Sequence, residues 1–397
     1  MHDTKTVKRY LTEFFSEGAK KSNEYKIGVE LEHFVVERGT LKSVGYFTEM
    51  GVGQILRDLL PRFPVSYFEG EKVLGLASTD YSITLEPGSQ LEISINPQEN
   101  IRRIDEIYSS FRETIDDILE ENDYVLTTYG YLPKSSIFDL LLLPKKRYAY
   151  MDRNFSKTGT MGVNMMRGTA SCQVSIDYFN ETDFVRKIRC AYLLSPILSY
   201  MTSNTPIFEG NRNTNLLLRT HIWRNTDKAR TGIIPGLFSD NFGYERYADY
   251  VLNAPAIFQS INGEYRETSV SALEAMCEAD DLAEATELYI SLMFPDVRLK
   301  QYIEIRVADS MRIEKALGYA ALIKGLFFNI TELEDLFKKE HCNENSILSS
   351  QNNLMRNNPF VYGQHVNKFI DKLAKIANYY LCDYERIYLR DFLGMGE

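Results

Sequence analysis

The sequence lacks the features that mark several large classes of protein. It has only five cysteines, an odd and scattered set without a CxxC pair, so neither a metal clip nor a dithiol redox site is expected. No apolar run approaches the ~20 residues of a membrane span. The first residues, MHDTKTVKRYLTEFF, carry no apolar signal-peptide core. We therefore expect a cytoplasmic protein without a membrane partner.

The motifs of common nucleotide-binding and hydrolase sites are also missing. There is no GxxxxGK[ST] loop and no GxGxxG turn after a strand, so a glycine-rich loop would not hold phosphates. There is no HExxH helix or GxSxG elbow, and the five histidines are dispersed. The net charge of −10 argues against nucleic acid as a partner, because phosphate neutralisation needs a basic surface.

What is present is the composition of a globular protein, with 44% hydrophobic and 25% charged residues among 397. No repeat, low-complexity tract or flexible linker divides the chain, which favours a single catalytic domain over residues 1–397. Helical patterns alternate with strand patterns, which lie at 26–36, 81–95, 170–178 and 297–307. Short alternating strands among helices predict an α+β fold with an antiparallel or mixed sheet.

Each predicted strand has one polar face. In KIGVELEHFVV, residues 26–36, Glu30 and Glu32 share a face because side chains alternate along a strand. The polar faces of the other strands carry Glu92 with Gln90, Ser94 and nearby Glu86, then Ser171, Gln173, Ser175 and Asp177, and finally Arg298, Lys300, Tyr302, Glu304 and Arg306. Four strands thus repeat the same pattern.

If these strands share a sheet, their carboxylates form one acidic wall. Like charges ~7 Å apart repel unless water or a cation lies over them. Ligands that are oxygen alone favour Mg²⁺ or Mn²⁺ over Zn²⁺, and five carboxylates require more than one ion. The lysine and arginines beside them suit a metal-bound polyphosphate. Two other interpretations stay open. The polar faces can be the solvent-facing sides of ordinary amphipathic strands, and Lys300 and Arg306 can form surface salt bridges to Glu304.

Six ordered segments resemble the plant and proteobacterial type of glutamate-cysteine ligase, namely GVELEHF, TLEPGSQLEIS, MRGTASCQVSIDY, RTHIWRNTDKARTG, FGYERYADYVLNAP and FPDVRLKQYIEIRVAD. The similarity covers roughly residues 25–309 and leaves a helical part at 310–397. It implies a glutamine synthetase-like fold, in which a curved antiparallel sheet forms a half-barrel funnel with helices outside. It also implies that ATP phosphorylates the γ-carboxylate of L-glutamate and that L-cysteine attacks the acyl phosphate, which gives γ-glutamylcysteine for glutathione biosynthesis.

The resemblance implies a role for each matching residue. The expected ligands of two or three Mg²⁺ ions are Glu30, Glu32, Glu86, Glu92 and Glu304. The expected catalytic residues are Glu30, Glu304 and Arg306, and the expected ATP contacts are Lys300, Arg306, Gln173 and Arg298. The expected substrate contacts are Arg147 and Arg219, whose guanidinium groups bind carboxylates with two parallel hydrogen bonds, with hydroxyl contacts from Thr169 or Ser171.

Two positions depart from the family pattern. Ile257 stands where a tyrosine is usual in the pocket for the amine substrate, and this change removes a phenol donor. Val307 stands where a glycine is usual. The first departure keeps open a second interpretation, a ligase of the same mechanism that joins glutamate to another amine. A third interpretation is a non-catalytic binding relative. The sequence does not give the oligomeric state.

Overall fold

The computed structural model describes residues 1–21 and 25–394. Its strands are β1 (Ile27–His33), β2 (Val35–Glu37), β3 (Val65–Glu69), β4 (Lys72–Ala77), β5 (Tyr81–Leu85), β6 (Leu91–Gln98), β7 (Tyr124–Leu126), β8 (Ser171–Ile176), β9 (Ile207–Phe208), β10 (Asn211–Arg212), β11 (Thr231–Gly232), β12 (Gln259–Ile261), β13 (Glu264–Arg266), β14 (Phe294–Pro295), β15 (Val297–Leu299), β16 (Ile303–Asp309), β17 (Phe360–Val361) and β18 (Gln364–His365).

The helices connect and cover these strands. They are α1 (Thr4–Glu17), α2 (Val52–Leu59), α3 (Ile101–Glu121), α4 (Lys146–Thr158), α5 (Gly162–Gly168), α6 (Glu181–Met201), α7 (Leu218–Arg224), α8 (Tyr244–Leu252), α9 (Ala272–Cys277), α10 (Leu282–Ser291), α11 (Ile313–Phe328), α12 (Ile330–Lys339), α13 (Glu344–Met355), α14 (Val366–Tyr380) and α15 (Asp383–Leu393). Within the described ranges, every helix is too short or too polar to cross a membrane.

Eight strands form one antiparallel sheet in the order β15-β16-β8-β1-β6-β5-β4-β3. Strands β15 and β3 are its two edges, so the sheet is open, as a half-barrel requires, and is not a closed barrel. The predicted α+β fold with an antiparallel sheet is confirmed. A parallel pair, β11 with β14, lies in a separate small sheet.

Two of the predicted strand segments form hairpins, and for 297–307 this corrects the prediction of one continuous strand. The segment 81–95 folds into β5 and β6 around a turn at Pro87-Gly88, because proline has no N–H for a strand ladder. The segment 297–307 folds into β15 and β16, and the Lys300 N–H donates to the Tyr302 carbonyl across the turn at 2.8 Å. Residues that lie opposite each other in a hairpin point to the same face of the sheet, so the residues predicted to share a polar face still share one.

The apolar face of the sheet is covered by helices, which leaves the other face for polar side chains. Leu31, Ile93, Val174 and Ile305 of the central strands are fully buried. Helices α3, α6 and α11 pack against strands β6, β16 and β8. Helix α11 is buried on nearly all sides, since α14 and α15 cover its outer surface.

The helical part at 310–394 packs closely on the rest of the chain. The buried carboxylate of Glu385 in α15 accepts a hydrogen bond from the Ile101 N–H at the start of α3, at 3.1 Å. It also accepts one from Lys324 Nζ of α11, at 2.6 Å. This carboxylate satisfies a backbone donor that a helix N-terminus leaves free. The organisation as one domain remains a prediction.

Candidate active site

The strand register brings three glutamates together on the polar face of the sheet. Glu32 of β1 lies directly opposite Glu92 of β6, and Glu30 lies opposite Gln173 of β8. One carboxylate oxygen from each of Glu30, Glu32 and Glu92 lies within 4.8 Å of the others. We call these three residues the acidic cluster.

Neighbouring donors hold the carboxylates of the acidic cluster in place. Gln173 Nε2 donates to Glu30 Oε1 at 2.6 Å and to Glu32 Oε1 at 3.2 Å. The Ser171 N–H of β8 donates to Glu32 Oε2 at 2.7 Å. These bonds fix both β1 carboxylates from the same neighbouring strand, so the cluster is rigid before any ligand arrives.

The acidic cluster carries more negative charge than the local groups neutralise. Burial is the main cause that raises the pKa of Glu32 to about 7, and the nearby charge of Glu86 adds to it. Burial followed by the charge of Glu30 raises the pKa of Glu92 well above its usual range, although Thr84 Oγ1 donates to Glu92 Oε1 at 2.7 Å. The oxygen-only donor set and the unmet charge both fit a hard divalent cation.

Glu304 has a different environment, because three cationic side chains surround it. Arg298 Nη2 lies 2.7 Å from Glu304 Oε2, Lys300 Nζ lies 2.9 Å from Oε1, and Arg306 Nη1 lies 2.6 Å from Oε2. Burial alone raises the pKa of Glu304, but the three cations together hold it well below its usual range. We call Arg298, Lys300 and Arg306 the cation cluster. The sequence predicts that Glu304 binds a metal, whereas in the structure its carboxylate forms ion pairs with the cation cluster.

A single glutamine links the two clusters. Gln173 donates through Nε2 to the acidic cluster, and its Oε1 accepts a hydrogen bond from Arg306 Nη1 at 2.6 Å. Positive and negative side chains therefore lie side by side on one face of the sheet. Such a face can bind a metal and an anionic group at the same time.

Both clusters line a cleft with an empty volume of about 700 Å³, which is in the range of small-molecule sites. Of the predicted site residues, the cleft brings together Glu30, Glu32, Glu86, Glu92, Arg147, Gln173, Arg298, Lys300 and Arg306. Tyr148 and Met151 of α4 also line the cleft, and their position close to Arg147 is the one sequence feature that points to them. Thr84 was not predicted as a site residue either, although a hairpin over 81–95 places it opposite Glu92.

The two arginines predicted for substrate carboxylates each keep a buried nitrogen without a partner in the described part of the chain. Arg147 lines the cleft, and its Nε has no hydrogen-bond acceptor. Arg219 of α7 donates through Nε to the Arg306 carbonyl at 3.1 Å, but its Nη1 has no acceptor. It lines a smaller pocket, which shares Arg306 and Phe294 with the cleft. Both side chains thus retain capacity for an anion.

Three predicted substrate residues line neither the cleft nor the smaller pocket. Thr169 Oγ1 donates to the Met165 carbonyl at 2.7 Å, so its hydroxyl serves the end of helix α5. Ser171 Oγ is buried, and this residue contacts the site through its N–H group. Ile257 is 6% exposed and lies between the buried residues Ala256 and Phe258. The assignment of these three residues to substrate remains a prediction.

Comparison with known proteins places the chain in a family. The model of glutamate-cysteine ligase family 2 (GCS2) matches residues 26–365. The chloroplastic glutamate-cysteine ligase of Arabidopsis thaliana is 33% identical over 333 residues, which are 82% of this chain and 63% of the relative. The chloroplastic glutamate-cysteine ligase B of Oryza sativa subsp. japonica is 34% identical over 340 residues, which are 83% of this chain and 68% of the relative.

The fold has a counterpart among solved structures. The glutamate-cysteine ligase of Francisella tularensis, solved in complex with AMP, has a TM-score of 0.53 and 12% identity, over 94% of this chain and 82% of that chain. At this identity the likeness concerns the fold alone. The chain spans slightly less than two thirds of the length of several plant relatives, including 63% of the Arabidopsis protein. The family match over residues 26–365 is nevertheless continuous, and the chain belongs to glutamate-cysteine ligase family 2.

Proposed function

We propose that this protein is an ATP-dependent ligase that joins the γ-carboxylate of L-glutamate to the amino group of L-cysteine, and so makes γ-glutamylcysteine for glutathione synthesis. The observation that carries the proposal is the contact between the acidic cluster and the cation cluster through Gln173. A ligase of this kind must bind a metal-bound triphosphate beside a carboxylate substrate. The acidic cluster supplies negative charge for the metal, and the cation cluster supplies positive charge for the phosphate groups.

The acidic cluster supplies ligands for Mg²⁺, with Mn²⁺ as an alternative and Glu86 available at the same cleft. When bound, the ion neutralises phosphate oxygens and polarises the phosphorus that is attacked. The prediction of two or three ions is kept as part of the proposal, with one ion held by Glu30, Glu32 and Glu92. Glu304 serves instead to hold the cation cluster in position.

The chain's residues act mainly by positioning and charge. A γ-carboxylate oxygen of glutamate attacks the γ-phosphorus of ATP and ADP leaves, after which the amine nitrogen attacks the carbonyl carbon, loses a proton, and phosphate leaves. Arg306 and Lys300 are held at Glu304 and face the cleft, where they stabilise the negative charge on the transferred phosphoryl group. Fixed donors of this kind cost no reorganisation during the reaction.

Product identification tests the proposed reaction. The purified protein is incubated with ATP, Mg²⁺, L-glutamate and an equal mixture of amino acids, and the products are analysed by mass spectrometry. We expect ADP, phosphate and γ-glutamylcysteine as the main peptide. A different γ-glutamyl amide as the main product would instead favour the second interpretation, a ligase for another amine. The absence of ADP release with every amine would favour a non-catalytic relative.

The role of Arg219 is tested by the change Arg219→Lys. A lysine keeps the charge but loses the planar pair of donors, so we expect the KM for glutamate to rise about 10-fold with a smaller change in kcat. Arg102→Lys is the control, because the Arg102 side chain is 72% exposed and lines neither the cleft nor the smaller pocket. An unchanged KM in Arg219→Lys would exclude contact with the substrate carboxylate. Steady-state kinetics with varied glutamate gives both constants.

The cellular location is also part of the proposal. The sequence favours the cytoplasm, whereas the relatives from Arabidopsis thaliana and Oryza sativa are named as chloroplastic proteins.

A further inference from the structure

A small pocket lies beside the cleft and has its own pair of opposite charges. Its empty volume is about 280 Å³, and its lining includes Arg219, Trp223, Phe294, Asp296 and Arg306. Two of these residues, Phe294 and Arg306, also line the cleft, so the pocket and the cleft are adjacent.

The cationic wall of this pocket is Arg219. The residue is only 6% exposed, and its Nη1 has no hydrogen-bond acceptor among the described residues. Its guanidinium lies over the ring of Trp223, with Cζ 5.2 Å from the ring centroid. The ring fixes the orientation of the guanidinium but supplies no anion. A buried donor without an acceptor indicates a ligand that provides one.

The anionic wall is Asp296, the residue before strand β15. Its Oδ2 accepts a hydrogen bond from Gln351 Nε2 of helix α13, at 3.1 Å. The cations that act on it are Arg224, Arg219 and Arg306, but none forms an ion pair with it within 4.0 Å. Arg224 is instead hydrogen-bonded to Gln351 and Asn352 of α13. Burial is the main cause that raises the pKa of Asp296 and lowers the pKa of Arg219. The charges of Glu32 and Asp309 act on Arg219 more strongly than that of Asp296, but none of the three forms an ion pair with it within 4.0 Å.

Opposite charges without counter-ions, separated by one small pocket, complement a zwitterion. An α-amino acid carries its carboxylate and its ammonium group on the same carbon atom. A carboxylate bound at Arg219 would place the ammonium group within the same pocket, where Asp296 is the anion. A dicarboxylic acid without the amino group would leave Asp296 buried and unpaired, which is costly.

We infer that Asp296 binds the α-ammonium group of the glutamate substrate, while Arg219 binds its α-carboxylate and Gln351 orients Asp296. This inference rests on the proposed function, because it assigns the ligand of the same site. It makes Asp296 a specificity-determining residue, which selects α-amino acids over simple dicarboxylic acids. The γ-carboxylate then extends past Arg306 toward the acidic cluster.

The test compares L-glutamate with glutarate, which has both carboxylates but no ammonium group. Wild type, Asp296→Asn and the control Asp335→Asn, a change at an exposed position of α12, are assayed for ADP release. We expect Asp296→Asn to lower kcat/KM for glutamate about 10- to 100-fold, the loss that follows when a charged hydrogen bond is removed, and to leave glutarate within about 2-fold. The control is expected to match wild type with both compounds.

Equal losses with glutamate and glutarate in Asp296→Asn would overturn the inference, because a purely structural role affects both compounds. Equal use of the two compounds by wild type would overturn it as well, and this result does not require the variant to fold. Calorimetric titration of both compounds without ATP separates the two proposals. If wild type binds glutamate at least 10-fold more tightly than glutarate, Asp296→Asn loses this preference, and wild type releases no ADP, the proposed function fails while the role of Asp296 is supported. If it binds neither compound, both fail.

Discussion

Replacing Glu32 with glutamine is expected to lower turnover about 1000-fold and, at the same time, to stabilise the metal-free protein. The loss of turnover follows because a carboxylate ligand contributes to several kcal/mol of charge stabilisation at a bound metal. Glutamine keeps an oxygen that can accept the Ser171 N–H bond, so the fold of the strand is retained. The change therefore removes one charge from the acidic cluster and the 3.2 Å hydrogen bond from Gln173 Nε2 to Glu32 Oε1, and it keeps the bond from Ser171.

The gain in stability has a defined dependence on pH. Burial raises the pKa of Glu32 from 4.5 to about 7 in the folded protein, so the folded state binds its proton more tightly than the unfolded state. The contribution of Glu32 to the stability of metal-free wild type is therefore fully present below about pH 4.5 and is lost as the pH rises toward 7. The loss is on the order of 3 kcal/mol, or a few degrees in Tm. Glu32→Gln does not undergo this loss.

Thermal unfolding at pH 5 and pH 8, with and without Mg²⁺, measures these effects. We expect Glu32→Gln to exceed wild type in Tm at pH 8 without metal and to approach it at pH 5. Mg²⁺ should raise the Tm of wild type more than that of the variant, because the ion binds the folded state. Glu113→Gln, at an exposed position of α3, is the control and should change neither turnover nor Tm. Near-normal turnover in Glu32→Gln, or a lower metal-free Tm, would contradict the assignment of a metal site.

Much of the acidic cluster follows from local sequence. The alternation of side chains along a strand is enough to place Glu30 and Glu32 on one face of β1. The partnership of Glu32 with Glu92 is different, because it depends on the register between β1 and β6. Register is set by turns and packing distant in sequence, so no local pattern contains it. The resemblance of the segments to a known family supplied that connection.

The sequence allowed two environments for Glu304, a metal or salt bridges to neighbouring cations, and its pattern did not decide between them. On a continuous strand, Arg298 and Glu304 would lie about 20 Å apart. The hairpin at 300–302 places them opposite each other instead, and Arg298 Nη2 reaches Glu304 at 2.7 Å. An alternating sequence shows which residues share a face, but it does not show whether a carboxylate meets a cation or a metal there. The roles assigned to Thr169 and Ile257 had the same weakness, since they depended on resemblance without local geometry.

The change Glu304→Gln is expected to lower turnover strongly, as Glu32→Gln does, but to shift stability in the opposite direction. Glu304 is 2% exposed and holds three cations, which lose their shared counter-ion when the carboxylate is replaced. Breaking a buried ion pair from one side costs about 3 kcal/mol, which corresponds to about 4 °C in Tm for a chain of this length. Arg306 and Lys300 also lose their fixed positions, so turnover should fall at least about 100-fold.

The contribution of Glu304 to stability also depends on pH, but in the opposite direction from that of Glu32. Burial opposes the ionisation of Glu304, but the cation cluster holds its pKa well below 4.5. The contribution of Glu304 to stability is therefore present above about pH 4.5 and is lost as the pH falls through the folded-state pKa. At pH 8 without metal, Glu304→Gln should therefore unfold at a lower temperature than wild type and Glu32→Gln at a higher one. Glu314→Gln, which loses an exposed pair with Arg312, should change Tm by less than about 1 °C. A Tm for Glu304→Gln at or above that of wild type would mean that Glu304 belongs with the metal ligands after all, since only a carboxylate without sufficient counter-charge relieves repulsion when it is removed.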